Sequence, residues 1–128
     1  MASIEDVARL AAQLPEVTEG ERSGNRTWFV AGKGFAWERP FSKADLKRFG
    51  AAVPPSGPIL AVRVADLNEK EAVLAAGHAG FFTITHFDGY PAVLIQLDEV
   101  EPAQLGEALV DGWLAYAPLA LAERYLNG

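Results

Sequence analysis

Apolar residues at Ile4, Val7, Leu10, Ala11 and Leu14 return every three or four positions and paint one face of a helix. Ser3, followed three residues later by Asp6, supplies a capping-box start, and Pro15 supplies the stop. Residues 16–25 lose this periodicity. They are mainly polar, include two glycines and predict a loop. Runs rich in aromatic and β-favouring residues follow at 26–30 and 35–39, joined by Gly32-Lys33-Gly34, and predict a hairpin. Alternation sets Arg26, Trp28 and Val30 on one face and Thr27, Phe29 and Ala31 on the other; Phe35, Trp37 and Arg39 are expected to share a face.

Pro40 ends the hairpin. Ser42 and Asp45 then cap a short helix that carries Leu46 and Phe49 and closes at Gly50. The proline-rich run 53–58 is a loop, and residues 59–64 read as a strand. Asp66 and Glu69 open a further helix with Leu67, Val73 and Leu74 directed inward and Gly77 as its stop. Residues 81–84 and 92–97 give two more strands, connected through 87–91. Pro102 starts the last helical stretch, where Leu105, Leu109, Trp113 and Tyr116 repeat at helical spacing. Pro118 kinks or restarts it, and Leu119, Leu121, Ala122, Tyr125 and Leu126 continue an apolar face. The order α-β-β-(α)-β-α-β-β-α predicts a two-layer α+β domain spanning residues 1–128. Its antiparallel sheet has about five strands, with helices packed on one face.

Composition narrows the function classes. Half of the 128 residues are apolar, which supports a packed core. With no cysteine, disulfides, thiolate metal sites and thiol nucleophiles are all removed. The acidic N-terminus lacks the basic region of a signal peptide, and no apolar run reaches the roughly 20 residues of a membrane span, so a cytoplasmic protein without a membrane partner is expected. The net charge of −6 is unevenly spread. Between residues 22 and 48 seven basic residues face only Glu38 and Asp45, so that segment is +5 and the remainder −11.

Three sets of residues could carry chemistry. Arg26, Lys33, Arg39, Lys43, Lys47 and Arg48 form an anion- or nucleic-acid-binding patch if folding gathers them, and a solvated surface if it does not. Trp28 and Trp37 either stack on a ligand or partner from an open sheet face or fill the core. His86, Asp88 and Tyr90 come from one short connection and suit either a small-molecule site or plain turn-making. No serine sits in a nucleophile elbow, the carboxylates are scattered, and the two histidines lack further ligands, so neither catalysis nor a metal or cofactor is expected.

The segment 14–20 (Leu-Pro-Glu-Val-Thr-Glu-Gly), the Gly32-Lys33-Gly34-Phe35-Ala36 stretch and above all Thr85-His86-Phe87-Asp88-Gly89-Tyr90-Pro91 before a strand resemble the MmcQ/YjbR family, as do Trp113 and Ala117-Pro118. The resemblance implies a double-wing or secretion-chaperone-like fold. Family members are commonly labelled DNA-binding by comparison of fold. Where the family often has basic residues after the Ala-Pro of the last helix, this chain has Leu119-Ala120-Leu121, with Arg124 the only base nearby. The expected function is a non-enzymatic binding domain, with DNA bound through residues 22–48. The alternatives are a protein-interaction or chaperone-like domain, with a protein partner or as a homodimer, using an open aromatic face, and a small-molecule binder near His86.

Overall fold

A computed structural model describes residues 2–128. Helix α1 (Ile4–Ala12) begins as its sequence requires: the Ser3 hydroxyl accepts from the Asp6 N–H, and the Asp6 carboxylate accepts from the Ser3 N–H. Helix α2 (Lys43–Phe49) repeats the box with Ser42 and Asp45. The Asp66 carboxylate caps α3 (Leu67–Ala75). Such caps contribute about 1 kcal/mol each and are written in a few adjacent residues. Helix α4 (Pro102–Tyr116) opens on proline, and Pro118 divides it from α5 (Leu119–Leu126). None of these helices is long and apolar enough to cross a membrane.

Six strands form one antiparallel sheet: β1 (Thr18–Arg22), β2 (Asn25–Val30), β3 (Lys33–Glu38), β4 (Ile59–Arg63), β5 (Phe81–Phe82) and β6 (Ala92–Gln96), in the order β1-β2-β3-β4-β6-β5. The additional strand, β1, occupies the segment expected to be a loop. It lies at the sheet edge with four of its five residues exposed, so no alternating apolar signal marks it. The β1–β2 turn is Ser23-Gly24 and the β2–β3 turn is Ala31-Gly32, all four residues at positive φ, as a tight two-residue hairpin connection requires. The latter turn therefore precedes Lys33 and Gly34, which belong to β3. Residues 83–84 leave the strand expected there, and a 3-10 turn (Thr85–Phe87) follows.

A bulge decides which aromatics share a face. Trp28 pairs with Ala36 and Phe29 with Gly34, leaving Phe35 as the extra residue on β3. Phe35 and Ala36 consequently both enter the main core, with Trp28, Leu60, Val62, Ile95, Leu105, Leu109 and Trp113. Trp37 belongs to a separate cluster with Ala61, Phe87 and Leu94, so Phe35 and Trp37 do not share a face as simple alternation suggested. Helices α1, α4 and α5 contribute to the main core. The second cluster is closed by Phe41, whose ring meets Phe49 of α2 at 5.3 Å and Phe82 at 6.1 Å. The opposite face of the sheet is thus covered around β4 and β6 rather than bare. On α3, Leu67 is exposed, against the inward direction expected for it, and Lys70 is buried, while Val73 and Leu74 are half-buried.

Candidate functional site

Where the second face is not covered, a cleft of about 690 Å³ opens over the β1–β3 end of the sheet. Arg22, Lys33 and Arg39 line it, with the rings of Trp37, Tyr90 and Tyr116 and the polar side chains of Asn25 and Thr27. No Asp or Glu is among its described lining residues. Gly34 keeps the floor open: a Cβ there would stand 3.0 Å from Thr27 Cγ2 and 3.5 Å from Arg22 Nη1. The cations lie against rings. The Arg22 guanidinium is 5.0 Å from the Phe29 centroid, and Lys33 Nζ is 5.3 Å from that of Tyr116.

Packing brings the third ring into place. Gly112 lets α4 settle directly on the sheet, since a Cβ there would meet Val62 Cγ1 at 2.8 Å, the Arg63 carbonyl at 3.1 Å and the Phe35 carbonyl at 3.2 Å. One turn later on the same helix face stands Tyr116. Its ring centroid is 4.9 Å from the Arg63 guanidinium carbon, which is also 5.5 Å from the Tyr90 ring. Arg63 pairs in register with Ala92, two residues beyond Tyr90, so the sheet itself delivers Tyr90 to this arginine. Tyr90 also meets Trp37 edge-on at 6.5 Å and Phe87 at 5.6 Å.

The other basic residues of the 22–48 segment are differently employed. Arg26 is held by Glu19 at 2.9 Å and Glu5 at 2.7 Å, and these bonds raise its pKa further. The Arg26 guanidinium, with the Trp28 indole N–H, likewise holds Glu19 below the usual carboxylate range. Arg39 pairs with buried Asp45 at 2.9 Å while still lining the cleft, and Arg48 lies 3.8 Å from the other Asp45 oxygen. Burial pushes the Asp45 pKa up, but the Ser42 backbone N–H, Arg39 and the Ser42 hydroxyl together hold it below its ordinary value. Lys43 and Lys47 are exposed on α2 and do not line the cleft. Trp28 is 1% exposed and its ring is sealed in the main core, which removes it as a stacking surface; Trp37 is half-buried and lines the cleft.

The 85–91 connection divides similarly. Tyr90 faces the cleft, whereas His86 and Asp88 are exposed and do not line it. The connection is pinned from α3 by Lys70, whose ammonium donates to the carbonyls of Phe87 at 2.6 Å and Tyr90 at 2.8 Å. Burial lowers the pKa of Lys70, and the nearby Asp88 charge partly opposes it. Sequence reasoning missed Arg63, Tyr116 and Lys70. The first two read as a strand end and a helix-face residue, and only register and crossing geometry join them. Among the described residues, no three His, Asp or Glu side chains are grouped to hold a metal ion.

A family model described as YjbR matches residues 12–115. The chain is also similar to an uncharacterised protein of Mycobacterium bovis and to uncharacterised proteins of two Mycobacterium tuberculosis strains. Each is 43% identical over 129 aligned positions, covering 98% of this chain and 97% of the relative. No solved structure matches it significantly.

Proposed function

The chain belongs to the YjbR family, and on that footing we propose that it is a binding domain for an anionic, ring-bearing ligand held in the β1–β3 cleft. One observation carries the reading: three cations and three aromatic rings line a single cleft whose described walls hold no carboxylate. Rings supply stacking surfaces for a planar group, and the cations supply charge complementarity for an anion. A cleft of this size suits a nucleotide-sized ligand.

The wider readings have less support. Binding duplex DNA across residues 22–48 relies on all seven basic groups, yet Arg26, Arg39 and Arg48 already face carboxylates. A protein-docking platform relies on a bare aromatic face, yet Trp28 is buried and part of the second face is filled by Phe41 and Phe87. The small-molecule reading near His86 survives only through Tyr90, which lines the cleft.

Trp37 provides the measurement, because Trp28 and Trp113 are fully buried. Titration with adenosine 5′-monophosphate and with a single-stranded oligothymidylate at low salt should give saturable fluorescence quenching that Trp37→Phe abolishes. At roughly 0.3 kcal/mol per non-hydrogen atom, a mononucleotide should bind below the millimolar range. No spectral change with either probe would overturn the proposal.

A further inference from the structure

We infer that the ligand's anionic group is a phosphate monoester, received by Arg22 and Lys33 at the Gly34 position of the cleft, with the ring against Trp37 and Tyr90. The inference rests on the cleft reading above and goes further by naming the ligand class: a nucleoside monophosphate, in which a spacer separates the phosphate from the planar ring.

All four side chains line the cleft, so a ligand within it can touch each of them. Arg22 and Lys33 are exposed and form no ion pair among the described residues. Arg39, the third lining cation, is committed: its Nη1 donates to the Asp45 carboxylate at 2.9 Å and to the Pro40 carbonyl at 2.6 Å. The Arg22 side chain reaches from the β1–β2 turn over the Phe29 ring, and its Nη1 comes within 3.5 Å of the place a Gly34 Cβ would take. Glycine leaves that place to a ligand. Lys33 directly precedes Gly34 on β3, and a Cβ on Gly32 would meet nothing within 4 Å, so the hairpin tip is open to approach.

The bulge sets phosphate and ring on one surface. Gly34 pairs with Phe29 and Trp37 with Thr27; Thr27 and Phe29 share a face of β2, so Gly34 and Trp37 share it too. Three residues of extended strand separate them, at most roughly 10 Å. A phosphate seated at Gly34 is thus separated from a ring at Trp37 by more than one ester oxygen, and a sugar spans such a gap. Tyr90, edge-on to Trp37 at 6.5 Å, supplies a second wall for the ring. The Arg22 guanidinium, held on the Phe29 face, presents its fork of donors with less rotation to lose on binding. Two unpaired cations, with no carboxylate in the described lining, favour the near-dianionic charge of a phosphate monoester over a single carboxylate.

The test titrates adenosine 5′-monophosphate, adenosine, phenyl phosphate and adenosine 3′,5′-cyclic monophosphate into the wild-type protein by calorimetry, then repeats the first two on Arg22→Gln, Lys33→Gln and Lys47→Gln. The 5′-monophosphate should bind roughly 10- to 100-fold more tightly than adenosine. It should also bind more tightly than phenyl phosphate, which lacks the spacer, and than the singly charged cyclic diester. Arg22→Gln and Lys33→Gln should each erase much of the advantage over adenosine while leaving adenosine binding unchanged. Lys47→Gln, which replaces an exposed cation outside the cleft, should change neither. Equal binding of adenosine and its 5′-monophosphate by the wild type would overturn the seat while leaving the cleft reading intact. So would a Lys47→Gln loss as large as that from Lys33→Gln, which marks a general field. Phenyl phosphate or the cyclic diester binding as tightly as the 5′-monophosphate would overturn the ligand class. Binding of none of the four would overturn the seat and the cleft reading together. The replaced side chains are exposed, so the core is kept, and the wild-type comparison stands without the variants.

Discussion

Lys70 shows what one side chain contributes to this architecture. A lysine is seldom buried, yet here it is 7% exposed, and burial disfavours its charged form. Against that cost stand two short charge-assisted bonds to the Phe87 and Tyr90 carbonyls. Both carbonyls also accept backbone bonds, from Tyr90 N–H and Ala92 N–H, so removing the ammonium would not leave them bare. What would be lost is the tie between α3 and the 85–91 connection. Lys70→Met should therefore lower stability by about 1–2 kcal/mol in urea unfolding. It should also accelerate amide exchange at Asp88, Gly89 and Tyr90 more than in α1. Uniform exchange rates, or a stability gain, would show that the desolvation cost outweighs the tie. Nothing in the sequence marks this residue: Lys70 sits in a helix of ordinary charged composition, and its two acceptors lie 17 and 20 positions away.

At the level of elements, legibility followed the range of the determining interactions. The capping boxes of α1 and α2 were readable because Ser and Asp three residues apart settle them locally. β1 was not, because an exposed edge strand has no buried face to impose alternation. The Phe35 bulge was equally silent, since one extra residue changes facing without changing composition. The packing of α3 beside α4 has a measurable consequence of the same long-range kind. Glu69 of α3 and Glu107 and Asp111 of α4 line one cavity together with His78 and Gln104. Burial, then the charges of Glu107 and Glu69, raise the pKa of Asp111 above 3.8. An acid whose pKa is raised by folding holds its proton longer in the native state. Stability is therefore lost as pH climbs from 3.8 through the native pKa, and the penalty is complete above it. Asp111→Asn should stabilise the protein at pH 7 by about 0.5–1 kcal/mol, with the gain shrinking toward pH 4. Urea midpoints at the two pH values decide it. A gain independent of pH would assign the effect to something other than ionisation.

Across the whole molecule, charge separates the cleft from its surroundings. The chain carries −6, so an extended polyanion meets net repulsion at long range even though the cleft itself is positive. Affinity for duplex DNA depends on how many phosphates basic residues neutralise, and falls steeply with salt in proportion to that number. The sequence promised seven such residues in one stretch. Folding leaves Arg22 and Lys33 unpaired among the described ion pairs and lining the cleft, and Arg39 shared with Asp45. Arg26 is neutralised by two glutamates, while Lys43 and Lys47 project from α2 outside the cleft. Screening at 0.15 M salt acts beyond about 8 Å, so dispersed exposed cations add little there, whereas groups converging in a partly enclosed cleft keep their effect. A 20-base-pair duplex should accordingly show no binding tighter than roughly 100 µM by fluorescence anisotropy at 150 mM salt. A mononucleotide, by contrast, should retain most of its low-salt affinity. Micromolar duplex binding at that ionic strength, with a salt slope matching six or seven phosphates, would show that the basic stretch acts as one surface after all. In that event Arg26, despite its two glutamates, should be among the residues whose replacement weakens binding. If the cleft alone is the site, Arg26→Gln should leave the affinity for adenosine 5′-monophosphate unchanged.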